Sequence, residues 1–436
     1  MARFLIMSLK GDGLGLALRL KQQGHHVAAK IIGKQEKNNY DGLIEKVDKW
    51  EGFLNNDTIV VFDSSGGGRT ADRLRSQGHH VFAGSVFADN LEVDRHLAFE
   101  LMEQAGIKVP LYKVFYSWHD GKSYVKTRNK RLVFKPSGPL SDDDAVGSYV
   151  STDPDDMVTM LDYFENVSRR TPEFIIQDFV EGVAVSTEGW FNGYDWMEPF
   201  NQTIEHKQMM VDDLGPSSGC TFNIVWKLNN TNRIVEEGIK LMKPILADYS
   251  YSGPIDLNTV VNKDGVWALE FTPRFGYDAF PALLELVDID IDIGEVIAKI
   301  ARGEQPEELP LKDGFASALR ISIPPHPSEE FKHPGGIPIQ GLMRSDRPHL
   351  YFFEVRLDEA DRLVSSVGGG AICAVTGLGR TISESFEGPY EVAKRLRIPE
   401  KQYRTDAINV LTTDHSRLFQ ALAEGHNVLK EVGGNP

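Results

Sequence analysis

Between residues 3 and 84 the chain runs twice through the same order of motifs, and this alternation restricts its fold more than any other feature. RFLIMS is a short apolar strand, KGDGLG a glycine-rich turn, LALRLKQQG a helix closed by Gly24, and HHVAAKII a returning strand. The order recurs in DTIVVFD, SSGGG, RTADRLRSQG and HHVFAG, and "QGHHV" stands in both copies. Such alternation predicts a parallel sheet with helices on its faces and ligands near the strand C-termini. The pairs His25/His26 and His79/His80 would point to opposite faces of a strand, so they mark helix-to-strand junctions rather than metal sites. Gly13, Gly66 and Gly67 lie in turns between strand and helix. Two readings stay open there: free amides holding a phosphate, or tight turns that simply need glycine.

At 436 residues the chain is too long for one core, so two or three domains are expected. The change of pattern suggests an N-terminal α/β domain over 1–105, a central domain over 106–312 with a mobile small lobe at about 112–187, and a strand-rich domain over 313–436. The start, MARFLIMSLKGDG, is interrupted too soon for a signal peptide, and no apolar run approaches a membrane span. Cys220 and Cys373 are far apart and show no metal-ligand spacing, which suits a reduced, cytoplasmic protein. A net charge of -16 without a basic block argues against a nucleic-acid or membrane surface. An anionic ligand would therefore need local cations, backbone amides or a metal.

In the central part, KRLVFKPSGP reads as a strand ending in Lys135, and EFIIQDFVEG as one that turns polar at Gln177 and Asp178. AVSTEGWFNG and FNQTIEHKQ continue as hairpin material. Residues 232–250 and 282–303 read as one helix each, the first carrying a costly Gly238. GEQPEELPLKDG reads as a boundary, and the last third is rich in glycine and strand patterns.

The chemistry concentrates in GPIDLNTVVNKDGVWALEF, a predicted hairpin. A three-residue loop, Lys263-Asp264-Gly265, sets Asn258 opposite Glu270 and Asp256 opposite Thr272, all on one face. A two-residue loop shifts the register by one and turns Asp256 and Asn258 away. An oxygen-rich patch on an apolar hairpin is costly unless something binds there, and hard oxygen donors suit magnesium. The plainer alternative is an ion pair between Glu270 and Arg274. Lys135 likewise either snorkels to solvent or meets a phosphate.

Together these segments resemble the ATP-grasp ligases, and among them the phosphoribosylamine–glycine ligase (glycinamide ribonucleotide synthetase) family, collinearly over nearly the whole chain. LVFKPSG resembles the family's strand with the ATP lysine, and IIQDFVEGVAVS the stretch whose backbone grips adenine. IEHKQ and DLGPSSG are similar to D-H-K-R and T-G-P-N-T-G-G. LEFTPRFG is similar to E-F-N-C-R-F-G, and GGGAICAVTGLGRTISES to the C-terminal G-G-R-V-L-x-V-T-x-x-G-x-T-x-x-E-A.

The resemblance implies a multidomain α/β and α+β protein: a Rossmann-like N-terminal domain, an ATP-grasp core and a strand-rich C-terminal domain. It implies ATP and Mg2+ (or Mn2+) as cofactors. Lys135, Gln177, Asp178, Phe179, Val180, Glu188 and Arg95 would hold the nucleotide, and Glu270, Asp256, Asn258 and Thr272 the metal. Arg274 and Lys207 would be catalytic. Gly215, Pro216, Ser217, Ser218, Gly219, Gly13, Gly66 and Gly67 would face the substrates. The implied reaction joins a small amino acid, such as glycine, to a phosphorylated amine through an acyl phosphate, in a monomer or homodimer. The chain departs from the family in several places. Thr272 replaces a metal-binding Asn, and the flexible loop becomes PSGPLSDDDAVGS, with three aspartates and no second lysine. Ala184 stands at a ribose-binding Glu, for which Glu181 or Glu188 would substitute. Both N-terminal loops are changed too. Two alternatives follow: a ligase for another amine, such as a modified nucleotide, or an ATP-binding scaffold or sensor that has lost ligation.

Overall fold

Short apolar strands at the N-terminus build a parallel sheet with a helix on each face. They are β1 (Arg3–Ser8), β2 (His26–Ile31), β3 (Glu45–Lys46), β4 (Thr58–Phe62) and β5 (His80–Phe82), interleaved with α1 (Leu14–Gln22) and α2 (Gly68–Ser76). Their order is β3-β2-β1-β4-β5, parallel throughout. α1 packs with Phe4 and Ile6 on one face, and α2 with Leu5 and Met7 on the other. Covered on both sides, the inner strands β1 and β4 read as nearly unbroken apolar runs, whereas the edge strand β3 is the charged pair Glu45-Lys46. The order reverses between β1 and β4, which opens a crevice at their C-terminal ends, beside Asp12 and Asp63. α3 (Val86–Val93) and α4 (Arg95–Gln104) follow, and the Asp94 side chain caps α4 by accepting from the Leu97 amide.

This computed structural model describes the chain except residues 139–146, 169–172, 229–231, 305–307, 329 and 433–436, and describes only the backbone over 425–432. The aspartate-bearing loop expected over 142–144 lies outside the described residues.

The small lobe consists of β6 (Tyr112–Phe115), α5 (Trp118–Val125), β7 (Leu132–Ser137), β8 (Tyr149–Val150), α6 (Pro154–Val167) and β9 (Glu173–Asp178). Its sheet, β6-β9-β7-β8, encloses an aromatic core of its own, with Phe115, Trp118, Phe134, Phe164 and Phe174. Next come β10 (Val183–Asn192), β11 (Trp196–Met210), β12 (Leu214–Lys227), α7 (Arg233–Glu236), α8 (Lys243–Asp248), β13 (Ser252–Asn262) and β14 (Gly265–Thr272). After them run α9 (Ala279–Leu286), α10 (Ile293–Ala301), β15 (Phe315–Ser322), β16 (Leu350–Phe352), β17 (Val355–Leu357), β18 (Leu363–Ser365), β19 (Ala371–Gly379), α11 (Ile382–Arg395) and α12 (Ala407–Val432).

Among the described residues of the last third only β17 and β18 stand apart, as a two-stranded antiparallel ribbon. β15, β19 and β16 extend the central antiparallel sheet, whose order is β14-β13-β10-β11-β12-β15-β19-β16, so hydrogen bonds run across the boundary expected at 312/313. Both long helical readings break. Over 232–250, Gly238 adopts φ -123°, ψ -116° and divides α7 from a 3-10 turn and α8. Over 282–303, Val287 leaves the helix to bridge Leu311, which separates α9 from α10.

Candidate active site

The hairpin turn between β13 and β14 holds two residues, not the three expected: Asn262 pairs with Gly265 around Lys263-Asp264. Pairing proceeds regularly to Thr259–Ala268, and Leu269 then bulges out of the ladder. The next pairs are Asn258–Glu270 and Asp256–Thr272, so the bulge restores the register that the shorter turn would have lost. The Asn258 amide donates to the Thr272 hydroxyl at 3.3 Å across this face. A bulged residue has backbone groups to spare, and the Leu269 carbonyl accepts from Lys135 Nζ at 3.0 Å.

Three cations from three elements surround Glu270. Arg95, at the start of α4, lies 2.7 Å from Glu270 Oε2, and Lys135, on β7, lies 3.6 Å from it. Burial opposes the Glu270 charge, but Arg95, Lys135 and Lys207 together hold its carboxyl well below the usual range. Burial is also the main influence on Lys135, lowering its ammonium to about 8 despite Glu270. The Glu270–Arg274 ion pair does not form. Arg274 instead donates to Glu92 Oε1 at 2.8 and 3.0 Å, and its guanidinium lies 4.3 Å over the Tyr277 ring.

The polar face continues inward from the hairpin. Asp256 is opposite Glu188 on β10 and Asn258 is opposite Ser186; Glu188 and Ser186 in turn face Asn201 and Thr203 on β11. Glu205, further along β11, pairs with Asn223. Three oxygens in this region, Asp256 Oδ1, Asn201 Oδ1 and Asn223 Oδ1, are buried without a hydrogen-bond partner among the described residues. Burial raises Glu188 to about 7, and raises Asp256 well above the usual carboxylate range with Glu188 and Glu205 adding to it. Among the described residues no three acidic, His or Cys side chains already surround one point as a metal cage. The fit to magnesium is therefore that of a partial shell: the Glu270 carboxylate, the Asn258 amide oxygen and the buried, unpartnered Asp256 Oδ1 are hard oxygen donors of the kind that ion takes.

Lys207, also on β11, is partly exposed; Glu205 at 3.4 Å is the chief cause of its raised ammonium. Its neighbour His206 is fixed between Asp213 at 3.0 Å and Asp414 of α12 at 2.9 Å. Gln177 and Asp178 end β9, in the same sheet as Lys135, and Phe179 and Val180 follow directly after it. There Gln177 is buried, Asp178 pairs with Arg128 at 3.0 Å, and the Arg131 guanidinium covers the Phe179 ring at 3.9 Å. Glu188 is not grouped with this segment. It lies four residues along β10 from Ala184, about 13 Å of strand, and accepts from Trp190 Nε1 at 2.9 Å. Glu181 is the exposed acid at the β9 end.

Gly215, Pro216 and Ser217 are exposed on β12, while Ser218 donates to the Lys207 carbonyl at 3.0 Å. Ser217, Ser218 and Gly219 share a cleft of about 340 Å³ with Asp12, Arg320 and Glu354. In the N-terminal loops three amides are engaged within the chain: Gly13 donates to Asp63 Oδ2 at 2.7 Å, and Gly66 and Gly68 donate to the two Asp89 oxygens at 2.8 Å each. At these two helix N-termini, carboxylates of the chain itself accept from amides that could otherwise meet an anion. Gly67 has a packing role, since a Cβ there would lie 2.4 Å from the Phe62 ring. Glu205, Asn201, Asn223, Asp63 and Asp89 escaped the sequence reading. Only the period-two polar alternation of SxE in β10 and DxN in β13 hints at the shared face.

No family model matches the chain. It is 24% identical over 352 residues to the phosphoribosylamine–glycine ligase of Halalkalibacterium halodurans, covering 77% of this chain and 78% of that one. The phosphoribosylamine–glycine ligase of Lactococcus lactis is 24% identical over 336 residues, covering 75% and 77%. Among solved structures, the Thermotoga maritima phosphoribosylamine–glycine ligase superposes with a TM-score of 0.73 at 18% identity, covering 93% of this chain and 99% of that one. The biotin carboxylase domain of Hydrogenobacter thermophilus 2-oxoglutarate carboxylase, solved with MgADP and bicarbonate, gives 0.60 at 11% identity, with 92% of each chain covered. No helix among the described residues is long and apolar enough to cross a membrane. The chain has the ATP-grasp fold and is a divergent relative of the phosphoribosylamine–glycine ligases.

Proposed function

We propose that the chain is an ATP-dependent carboxylate–amine ligase of the phosphoribosylamine–glycine ligase kind, a cytoplasmic enzyme for small-molecule substrates. The observation that carries this reading is the convergence of Arg95, Lys135 and Lys207 on Glu270 beside the unpartnered oxygen of Asp256. ATP phosphorylates a carboxylate, and an amine then displaces phosphate to form the amide. Little covalent work falls to the protein in such a reaction; positioning and charge neutralisation dominate. Lys135 and Arg95 contact the phosphates, the Gln177–Val180 segment takes the base, and Lys207 and Arg274 face the acyl group. Glu270, Asn258, Thr272 and Asp256 would hold the magnesium, which supplies neutralisation of phosphate charge.

Glycine, or a similarly small amino acid, is the carboxylate in this reading, because Arg274 and the Gly215–Gly219 segment match the family's pattern. For the amine, phosphoribosylamine is the first candidate by similarity. A second reading, an amine that carries no phosphate at these loops, is favoured by the carboxylates already seated on the Gly13, Gly66 and Gly68 amides. Phosphate release is the test, measured with ATP, magnesium and glycine, and with phosphoribosylamine or an unphosphorylated amine as acceptor. Turnover with neither acceptor, or turnover unchanged in Glu270→Gln, would sink the ligase reading.

A further inference from the structure

A second cavity lies away from the Glu270 hairpin, between the outer side of α1 and the segment 342–352. It measures about 460 Å³ and has apolar walls from Leu18, Leu43, Leu350 and Leu357. Three arginines, Arg19, Arg344 and Arg347, also line it. Arg344 and Arg347 are exposed, whereas Arg19 is only 7% exposed, in the last turn of α1. No described side chain or carbonyl hydrogen-bonds or ion-pairs with the Arg19 guanidinium, and its Nε is buried without a partner. Among the described residues two carboxylates lie nearby: Asp361 lines the exposed side of the same cavity without hydrogen-bonding or ion-pairing with Arg19, and Glu285 is engaged by His349 at 2.9 Å and by the Thr376 hydroxyl.

A guanidinium cannot shed its proton to escape burial, as a lysine can. An unpaired buried charge is among the costliest features a fold can carry, and a counter-ion removes most of that cost. The arginine fork matches a carboxylate or phosphate. The apolar walls leave room for more than a bare ion. We propose that this cavity binds a small anion, a carboxylate or phosphate monoester, carried on an apolar body, with Arg19 as its buried partner. Arg344 and Arg347 stand at the exposed rim and draw the anion in. The wall shares Gly15 and Tyr351 with the crevice lined by Asp12, Gly13 and Asp63, so the occupant packs against the helix whose first turn shapes that crevice. The proposal is independent of the ligase reading.

Calorimetric titration of the full chain with phenyl phosphate, benzoate and phenol tests it, with ADP and magnesium present so that the nucleotide site does not report. Saturable binding of phenyl phosphate or benzoate is expected, and which of the two is tighter identifies the kind of anion. Phenol should bind at least tenfold more weakly, and Arg19→Met should weaken the anion by roughly tenfold or more. Ligand-free Arg19→Met should melt at or above the wild-type temperature, because an unpaired buried charge is gone. Should that variant not fold, Arg344→Gln with Arg347→Gln, both at exposed positions, should weaken the anion and spare phenol. The proposal is overturned by equal affinity for phenol and the anions, by anion affinity unchanged in these variants, or by Arg19→Met melting several degrees lower. Loss of self-association in Arg19→Met without any ligand effect would also overturn it, assigning the cavity to a contact between copies of the chain.

Discussion

Arg95 Nη1 and Glu270 Oε2 meet at 2.7 Å, which makes the guanidinium at the start of α4 the nearest charge to the one carboxylate of β14. Lys135 approaches the same oxygen from the small lobe. A cation taken up by Glu270 would release both groups toward a phosphate, so metal and nucleotide should bind with mutual reinforcement. ADP titrations with and without magnesium should show each tightening the other.

Lys135→Met keeps most of the buried stem and removes the charge. ATP turnover should fall by about 100-fold or more, with the fold intact by circular dichroism. Since burial lowers the Lys135 ammonium to about 8, ADP affinity of the wild type should weaken as pH rises through that value. An affinity flat across this range would show that Lys135 does not contact the phosphates.

Glu270→Gln should abolish turnover and magnesium-dependent ADP binding. It also leaves Arg95 and Lys135 without their shared partner, at a stability cost on the order of 1–3 kcal/mol. Asp256→Asn should lose turnover while still folding, because the bulged register turns Asp256 to the Glu270 face. Wild-type activity in Asp256→Asn would remove that residue from the site.

The proton on Glu188 makes stability depend on pH. Its carboxyl, raised to about 7 by burial, holds a proton in the folded chain that the unfolded chain releases near its ordinary 4.5. The resulting stability is complete below 4.5 and is lost as pH rises through about 7. Glu188→Gln mimics the protonated form, so its advantage over wild type should be small at acid pH. The advantage should grow to on the order of 1–3 kcal/mol above neutrality. Urea unfolding at the two pH values checks this; a constant difference would mean Glu188 ionises normally.

Asp89→Asn should strengthen ribose 5-phosphate binding by about tenfold, because it removes the negative charge that competes for the Gly66 and Gly68 amides. Calorimetry on both proteins decides the matter. Equal affinities would show that no phosphate reaches these amides.

Much of the N-terminal fold was legible because each strand and helix there is specified within a few residues and pairs with a near neighbour. The facing of Asp256, Asn258, Glu270 and Thr272 was legible in outcome but not in cause, since nothing in VWALEF distinguishes a bulge at Leu269 from a longer turn. Arg95 and Lys135 were expected at the same site by resemblance, but their direct pairing with Glu270, and that of Glu92 with Arg274, was not legible. Arg95 and Glu92 reach Glu270 and Arg274 through tertiary packing of α4 and α3, and charged side chains leave no periodic trace of a distant partner. β15 and β19 joined the central sheet through backbone hydrogen bonds, which any strand can offer, so the pattern of residues could not reveal the junction.

Leu269 behaves as an inserted residue in an otherwise regular hairpin. If it were deleted, Ala268 would run directly into Glu270, and the pairs Thr259–Ala268 and Asn258–Glu270 would remain as they are. Loss of one residue from a strand normally flips everything beyond it to the other face; here it would flip nothing. The position should therefore tolerate a deletion that almost no neighbouring position would, and the shortened chain would keep its oxygen face. It would lose only the spare carbonyl on which Lys135 rests, which separates, in one variant, the geometry of the oxygen face from the anchoring of the lysine above it.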